Sequence, residues 1–354
     1  MKQIAAIARV SLGTVSHVLN DSAKVREPLR NRVLDAVRVT GYMPSQLGRG
    51  LRRDKTNILG MVIPDILNPF FPGVVRGVED VAFSNGYRLV LCNTDNVHEK
   101  EVEHLNALQT YLPSGLIVIP SSFSNLTVQT EAFRKTGSAV ICIDRLPRNW
   151  DGDSVTINNA GGAYHATSYL IELGHRRLAA ITGPLDLTNS QDRLKGFKRA
   201  VREAGLEVVH DYLQETTFDR AGGYAKTRVL LQMSPRPTAI LACNDLIALG
   251  ALLAIRDENL RCPEDISLIG FDGLDLTEMT TPQLSSVYQS SYQMGVVAAQ
   301  LALDRVANSS GPVRKIILKT ELKVRGSVAP PPRLVPTITN SAKKMKLRQV
   351  PVGI

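Results

Sequence analysis

The chain is poor in the residues that hold small secreted or metal-bound proteins together. Its 354 residues include 4 cysteines and 1 tryptophan, and only 5% are aromatic. Cys92, Cys142, Cys243 and Cys262 lie far apart and lack metal-ligand spacing, which argues against a disulfide framework or a zinc cluster. Cys142 and Cys243 sit in apolar runs that read as buried strands, so free thiols in a reducing cytoplasm are expected. The 6 histidines are scattered, with none at metal spacing. No stretch approaches the ~18 consecutive apolar residues that span a bilayer. The N-terminus lacks the apolar core and small-residue cleavage site of a signal peptide. A Walker loop and a Gly-x-Ser-x-Gly elbow are also missing. These absences point to a cytoplasmic chain that is not an enzyme and carries no metal or cofactor.

What is present begins with charge. The formal net charge is +9, unevenly placed. Residues 1–55 hold 11 Lys and Arg against 4 Asp and Glu, and residues 327–354 hold 5 basic residues and no acid. A basic head on a slightly acidic body is the footprint of a nucleic-acid-binding module. Within the head, Ile4, Ala5, Ile7 and Ala8 make one short apolar helical face, and Val15, Val18 and Leu19 make a second. Ser11, between them, can accept a hydrogen bond at the start of the second helix. A third stripe, Leu29, Val33, Leu34 and Val37, can bury the backs of the first two. Two short helices joined by a tight turn form a helix-turn-helix, whose second helix lies in the major groove of DNA. Spacing alone would equally allow three surface helices of a larger core.

The order of motifs resolves that choice. Val10-Ser11, Thr14-Val15-Ser16, Val18-Leu19-Asn20, Gly41-Tyr42, Pro44 and Leu51 occur in sequence. In this the chain resembles the lactose/galactose repressor (LacI/GalR) family, and the resemblance extends to about residue 328. It implies that Leu12, Gly13 and His17 reach base edges, while Ser11, Thr14, Ser16 and Asn20 support backbone contacts. His17 stands where the family often has arginine and offers fewer hydrogen bonds than a guanidinium fork; a position against phosphate or solvent is the alternative. Arg9 replaces the usual turn glycine. Only Met1-Lys2-Gln3 precede the first apolar face, without a hydroxyl or acidic cap, an omission costing about 0.5–2 kcal/mol; either the start lies upstream or the head is less stable than usual.

From residue 57 the pattern becomes alternating strand and helix. Short apolar runs at 58–63, 88–92, 115–119 and 139–143 are followed by amphipathic stretches, and a second series starts near Val155 with runs at 178–182, 238–242 and 267–270. Such repetition means parallel sheets covered by helices on both faces. The fold class expected is an N-terminal all-α helix-turn-helix head followed by a periplasmic-binding-protein-like α/β core of two doubly wound parallel-sheet subdomains. The head spans residues 1–44, a hinge linker 45–56, and the effector-binding and dimerisation core 57–328. The resemblance, not the periodicity, places the crossings near 157, 284 and 313. The first subdomain then takes 57–156 and 285–312, and the second takes 157–284 and 313–328. Residues 329–354, proline-interrupted and basic, read as a disordered tail.

The resemblance also assigns a cleft. Phe70 and Phe71 match the family's aromatic wall, and Asp144-Arg145 ends a strand of the first subdomain. Phe218 and Asn244 come from the second subdomain, as do Arg193 and Asp272. The residues matched by Arg193, Asn244 and Asp272 hydrogen-bond a small polar effector in the family. Taken singly, each reads equally well as a helix cap or a strand-end hydrogen bond; together they suit a sugar, a sugar derivative or a nucleobase. Asn159-Ala160-Gly161-Gly162-Ala163 is a weak glycine motif that reads as close helix packing rather than a phosphate cradle.

The implied function is a ligand-responsive transcriptional regulator, a repressor in the family's usual role, with double-stranded operator DNA, a small-molecule effector and a second copy of itself as partners. After Arg325 there is no leucine heptad to zip a tetramer, so a homodimer is expected. A solute-binding transport protein would need an export signal and no basic head. An enzyme on this fold would need a catalytic constellation. A degenerate regulator with a weakened head is the closest rival, given Arg9, the short start and the linker.

In the family the linker becomes helical on DNA, and the leucine matched by Leu51 wedges into the minor groove. A plain flexible tether is the alternative. Gly48 and Gly50 occupy positions where the family more often has a helix former, and each costs roughly 1 kcal/mol relative to alanine. The double substitution Gly48→Ala/Gly50→Ala is expected to tighten operator binding by up to about tenfold per site, and Leu51→Ala is expected to erase the gain. Unchanged affinity in a gel-shift titration would assign the glycines to flexibility instead.

Overall fold

The computed structural model describes residues 1–20, 25–42, 56–121 and 126–332. The head consists of α1 (Lys2–Ala8), α2 (Leu12–Asn20) and α3 (Glu27–Thr40). Its core is Ile4, Ala8, Val15, Val18, Val33 and Ala36. Two expected core positions point outward instead, with Ile7 49% and Leu34 45% exposed. The buried seam of α3 runs instead through Val33 and Ala36, one turn apart, with Val37 packed at its side.

The body alternates strand and helix, giving β1 (Thr56–Ile63), α4 (Phe70–Ser84), β2 (Arg88–Asn93), α5 (His98–Gln109), β3 (Pro113–Val118), α6 (Thr127–Lys135), β4 (Ala139–Ile143) and β5 (Asp153–Ile157). The second half continues with α7 (Asn159–Glu172), β6 (Leu178–Thr182), α8 (Thr188–Glu203), β7 (Leu213–Glu215), α9 (Arg220–Leu231), β8 (Ala239–Ala242), α10 (Asp245–Asp257) and β9 (Ser267–Asp272). The chain ends with β10 (Ser285–Tyr288), α11 (Ser291–Ala307), β11 (Lys315–Leu318) and β12 (Glu321–Lys323). Strands β3, β4 and β9 are buried along their whole length, as parallel strands covered on both faces must be.

Among the described residues the strands form two six-stranded sheets, ordered β11-β5-β4-β3-β1-β2 and β12-β10-β9-β8-β6-β7. The first is parallel throughout; in the second, β12 runs antiparallel to β10. The expected doubly wound parallel sheets are thus present, with the short β12 added antiparallel at one edge. The crossings shift. Ser285–Tyr288 pairs in parallel with β9, Tyr288 lying opposite Asp272, so the chain leaves the second sheet after residue 288 and not near 284. Lys315–Leu318 pairs with β5, so the last crossing follows residue 318 and not 313. The reason is local: Ser285, Ser286 and Val287 are buried beside β9, while Ile316 and Leu318 pack inward on β5.

Three helix pairs meet at glycines. A Cβ on Gly196 of α8 would lie 2.1 Å from Ala160 O of α7, and one on Gly295 of α11 would lie 2.0 Å from Val74 O of α4. Likewise a Cβ on Gly250 of α10 would lie 2.1 Å from Arg220 O of α9. Backbones approach where no side chain intervenes, which fixes each helix against its neighbour. Gly162 packs beneath Val287 and Phe271, as its motif predicted. Cys142 and Cys243 are buried free thiols. No helix among the described residues is long and apolar enough to cross a membrane.

The segment after β12 is tied to the second sheet. Ser327 Oγ donates to Leu268 O at 2.6 Å, and Ala329 N donates to Ser267 Oγ at 3.0 Å. Docking therefore reaches Ala329, where the tail was expected to begin; residues 333–354 lie outside the described residues. Buried His175 completes the strap, its Nε2 donating to Ala329 O at 2.9 Å and its Nδ1 facing Thr238 Oγ1 at 2.9 Å. Burial pushes the imidazole below its ordinary value of 6.5. A depressed folded value means that the stabilisation is present above the unfolded value and is lost as pH falls below it. In denaturant titrations, unfolding stability should fall more steeply in the parent than in His175→Gln as pH drops below 6.5. Equal slopes would remove His175 from the acid response.

Candidate nucleic-acid face and ligand cleft

In the head, Ser11 starts α2 as expected. Its Oγ accepts the Thr14 N–H at 3.1 Å and lies 2.9 Å from Thr14 Oγ1. Leu12, Gly13 and His17 are exposed on the outer face of α2, with Thr14 and Ser16 half-buried beside them. The Asn20 side chain and Leu51, like Gly48 and Gly50, lie outside the described residues. Arg9 adopts the left-handed conformation, φ 50° and ψ 51°, costing a non-glycine residue about 1–2 kcal/mol. The Arg32 guanidinium offsets this by donating to Ala8 O and to Arg9 O, clamping the turn from α3. The first helix has no side-chain cap.

In the body, the expected cleft residues come together. Phe70, Phe71, Asp144, Arg145, Arg193, Phe218, Asn244 and Asp272 all line one cavity of about 260 Å³. Its walls are the loops and helix starts that follow the C-terminal ends of parallel strands on both sheets, where doubly wound folds place ligands. Phe70 and Phe71 open α4, meeting edge to face with centroids 5.4 Å apart. The Phe70 N–H is held by Asn68 Oδ1 at 3.1 Å. Phe218 stands on the opposite side, its ring lying over Gly183, where any Cβ would fall 2.2 Å from it.

Two buried acid–guanidinium pairs face the space between the rings. Arg193 Nη1 lies 3.3 Å from Asp272 Oδ1, and Arg145 Nε lies 3.9 Å from Asp144 Oδ2. Both carboxylates sit on strained backbone, with φ of 64° at Asp144 and 105° at Asp272, a conformation retained only where surrounding contacts dictate it. Burial raises the pKa of both acids; Arg193 opposes the rise at Asp272, and Arg145 then Arg193 oppose it at Asp144. Gln289 Nε2 donates to Asp272 Oδ1 at 2.7 Å and Asn189 Nδ2 to Asp144 Oδ2 at 3.3 Å. Asp144 Oδ1 and Arg145 Nε and Nη1 are buried without a hydrogen-bond partner among the described residues.

Asn244 divides its roles. Its Oδ1 caps α10 through the Ile247 N–H at 2.8 Å, and its Nδ2 reaches Phe218 O at 3.4 Å. Its neighbour Asp245 accepts from Ser286 Oγ at 2.6 Å and Leu274 N at 2.7 Å, fixing the turn that presents Asp272. Burial, reinforced by the nearby Asp272, pushes the Asp245 carboxyl well above the usual range. Asp65, Asp95, Asn96, Asn189, Thr217 and Asp219 also line the cavity and were not anticipated. Their one signal is position: Asp65 and the Asp95-Asn96 pair follow the ends of β1 and β2 after one intervening residue. No group of His, Cys, Asp and Glu among the described residues is arranged to hold a metal ion.

Comparison with known proteins follows the same division. Residues 1–45 match the bacterial regulatory proteins of the lacI family, and residues 167–328 match a periplasmic binding protein-like domain. The chain is 34% identical over 328 residues to the HTH-type transcriptional repressor PurR of Histophilus somni, covering 93% of this chain and 98% of that protein. It is 35% identical over 327 residues to the ribose operon repressor of Escherichia coli K12, covering 92% and 99%. A LacI family transcriptional regulator from Enterococcus faecium, solved with bound ribose, is 31% identical with a TM-score of 0.70, covering 77% and 99%.

Arg193 proves to be structural as well as cleft-lining. It donates from Nε to Asn159 Oδ1 at 2.8 Å and from Nη1 to Cys243 O, and it stacks 3.8 Å from the Phe271 ring centroid. Truncating it leaves Asp272 and Asp144 buried without their shared cation, an arrangement that costs about 3–5 kcal/mol. Arg193→Met is therefore expected to lower unfolding stability by about that amount, and Asp272→Asn, which relieves acid repulsion, by clearly less. Equal losses in chemical denaturation would show that Arg193 acts through packing alone.

Proposed function

The chain belongs to the LacI family of bacterial regulatory proteins, and on that premise we propose that it is a ribose-responsive transcriptional repressor. It is a DNA-binding repressor whose affinity for its operator is set by a small molecule in the core cleft. The observation that carries the choice of effector is the pair of buried acid–guanidinium couples between opposed aromatic rings. A hydroxyl group both donates and accepts, so vicinal hydroxyls satisfy an adjacent carboxylate and guanidinium together. Asp144 Oδ1 with Arg145 Nε and Nη1 offers one such set. The flanking phenylalanines suit the apolar C–H faces of a sugar ring. Five aspartates, Asp65, Asp95, Asp144, Asp219 and Asp272, line the cavity against Arg145 and Arg193, which disfavours phosphorylated sugars. Two relatives of the chain are named for ribose or were solved with it bound.

In this reading the exposed face of α2 enters the major groove, with Leu12, Gly13 and His17 at base edges and Ser11, Thr14, Ser16 and Asn20 at the backbone. Leu51, in the linker of residues 45–56, is the minor-groove wedge. Two copies on a near-palindromic operator make the functional homodimer, working in the cytoplasm without catalysis.

Calorimetric titration of the full chain tests the effector. D-Ribose is expected to bind with a micromolar Kd, equivalent to about −8 kcal/mol, and hypoxanthine and ribose 5-phosphate at least about a hundredfold more weakly. Asp144→Ala should weaken ribose by about tenfold to a hundredfold, since it removes a charged hydrogen bond. Tighter binding of hypoxanthine than of ribose would overturn the assignment.

A further inference from the structure

Helix α8 carries charge on two faces. One face turns Asn189 and Arg193 into the cleft. On the other, Lys195, Lys198, Arg199 and Arg202 follow at i, i+3, i+4 and i+7, a stripe of four cations about 10 Å long. The stripe borders a groove of about 570 Å³ that is floored by Leu185 and Leu194. Gln191 Nε2 fixes that wall by donating to Leu185 O at 2.7 Å. The acid in the groove, Glu203, is already engaged, accepting from Tyr164 Oη at 2.7 Å and lying 3.8 Å from Arg199. Arg199 in turn lies 4.1 Å from the Tyr164 ring centroid. Lys198 and Arg202 make no ion pair among the described residues, and Lys195 has only the neighbouring charge of Asp192.

Like charges three and four residues apart weaken a helix, so the stripe opposes folding and stability does not explain it. An anion seated there would relieve the repulsion. The groove's volume falls in the range of small-molecule sites, about 300–1,000 Å³, whereas a protein partner would need a broader, flatter face. Its apolar floor favours a ligand with a carbon body over a bare inorganic ion.

We propose that the groove along α8 is a second ligand site, which takes a small organic anion bearing two or more negative charges on an apolar body. Gly196 locks α8 against α7, so α8 moves as part of the second subdomain. The N-terminal turn of α8 also contacts the first subdomain, where Leu146 N donates to Thr188 Oγ1 at 3.1 Å. An anion on the outer face therefore acts on the helix that positions Arg193 and Asn189. The site itself is independent of which effector occupies the cleft.

The test is calorimetry on the full chain with ATP as the probe and adenosine as its uncharged counterpart. ATP is expected to bind with a submillimolar Kd and adenosine at least about tenfold more weakly. The double variant K198E/R202E should lose at least about tenfold in ATP affinity while its melting temperature stays at or above that of the parent. The matching reversal on the head, R26E/R38E, should leave ATP affinity unchanged. ATP binding that survives K198E/R202E, or that is lost equally in R26E/R38E, would overturn the site. Absence of ATP binding alongside tight binding of a poly-glutamate peptide would overturn the small-molecule class and mark the groove as a protein-docking face.

Discussion

Arg193 is the cation around which the second half of the cleft is arranged. Its guanidinium bonds to Asn159 at the start of α7, to the carbonyl of Cys243 after β8 and to Asp272 at the end of β9. Those groups belong to separate βα units that share no sequence neighbourhood. A fully buried charge survives only where it is paired and its remaining donors are satisfied. Satisfying Arg193 thus forces the units into one register, and the cleft exists because that requirement is met. Asp144, reaching in from the first sheet, feels the same cation, so the two subdomains share an electrostatic centre and not merely a boundary.

The frame that holds this centre is built from close backbone approach. Each glycine crossing removes a layer of side chains between helices, so α7 with α8, and α9 with α10, behave as rigid pairs. The chain passes between the two sheets near residues 158, 289 and 319. The second crossing is chemically connected to the cleft, since Gln289 holds Asp272 from the crossing itself. Any change of backbone at that crossing would therefore bear directly on a cleft carboxylate.

Much of this was legible in the sequence because it depends on order and type. The cap at Ser11, the alternation of strands and helices and the polar residues closing strands each follow from local rules, and all eight cleft positions met in one cavity. What was not legible depends on distance. Ile7 and Leu34 have the right period for burial but lie at the edge of a seam too narrow to cover them. The crossings slipped by several residues because Ser285-Ser286 resembles a loop until β9 is available to pair with it. Asp95, Asn96 and Asn189 are ordinary polar residues in their own segments and gain meaning only when the two sheets face each other. Asn244 shows the opposite difficulty: a motif position carries one oxygen, and here a helix start has already claimed it.

Contacts between the subdomains within the cleft are polar and replaceable. Leu146 N to Thr188 Oγ1 and Asn189 Nδ2 to Asp144 Oδ2 are two such bonds, each worth on the order of 1 kcal/mol net. A latch of that strength can hold one relative orientation yet yield to a ligand that offers Asp144 and Arg145 better partners. Typical coupling between sites is about 1–3 kcal/mol, comparable with exchanging these bonds. Because both bonds end on α8, anything that binds α8 from outside enters the same equilibrium. Linkage then requires reciprocity: whatever factor an outer ligand imposes on effector affinity, the effector imposes on the outer ligand. The helix that completes the cleft is thus also the element through which a second signal would have to act.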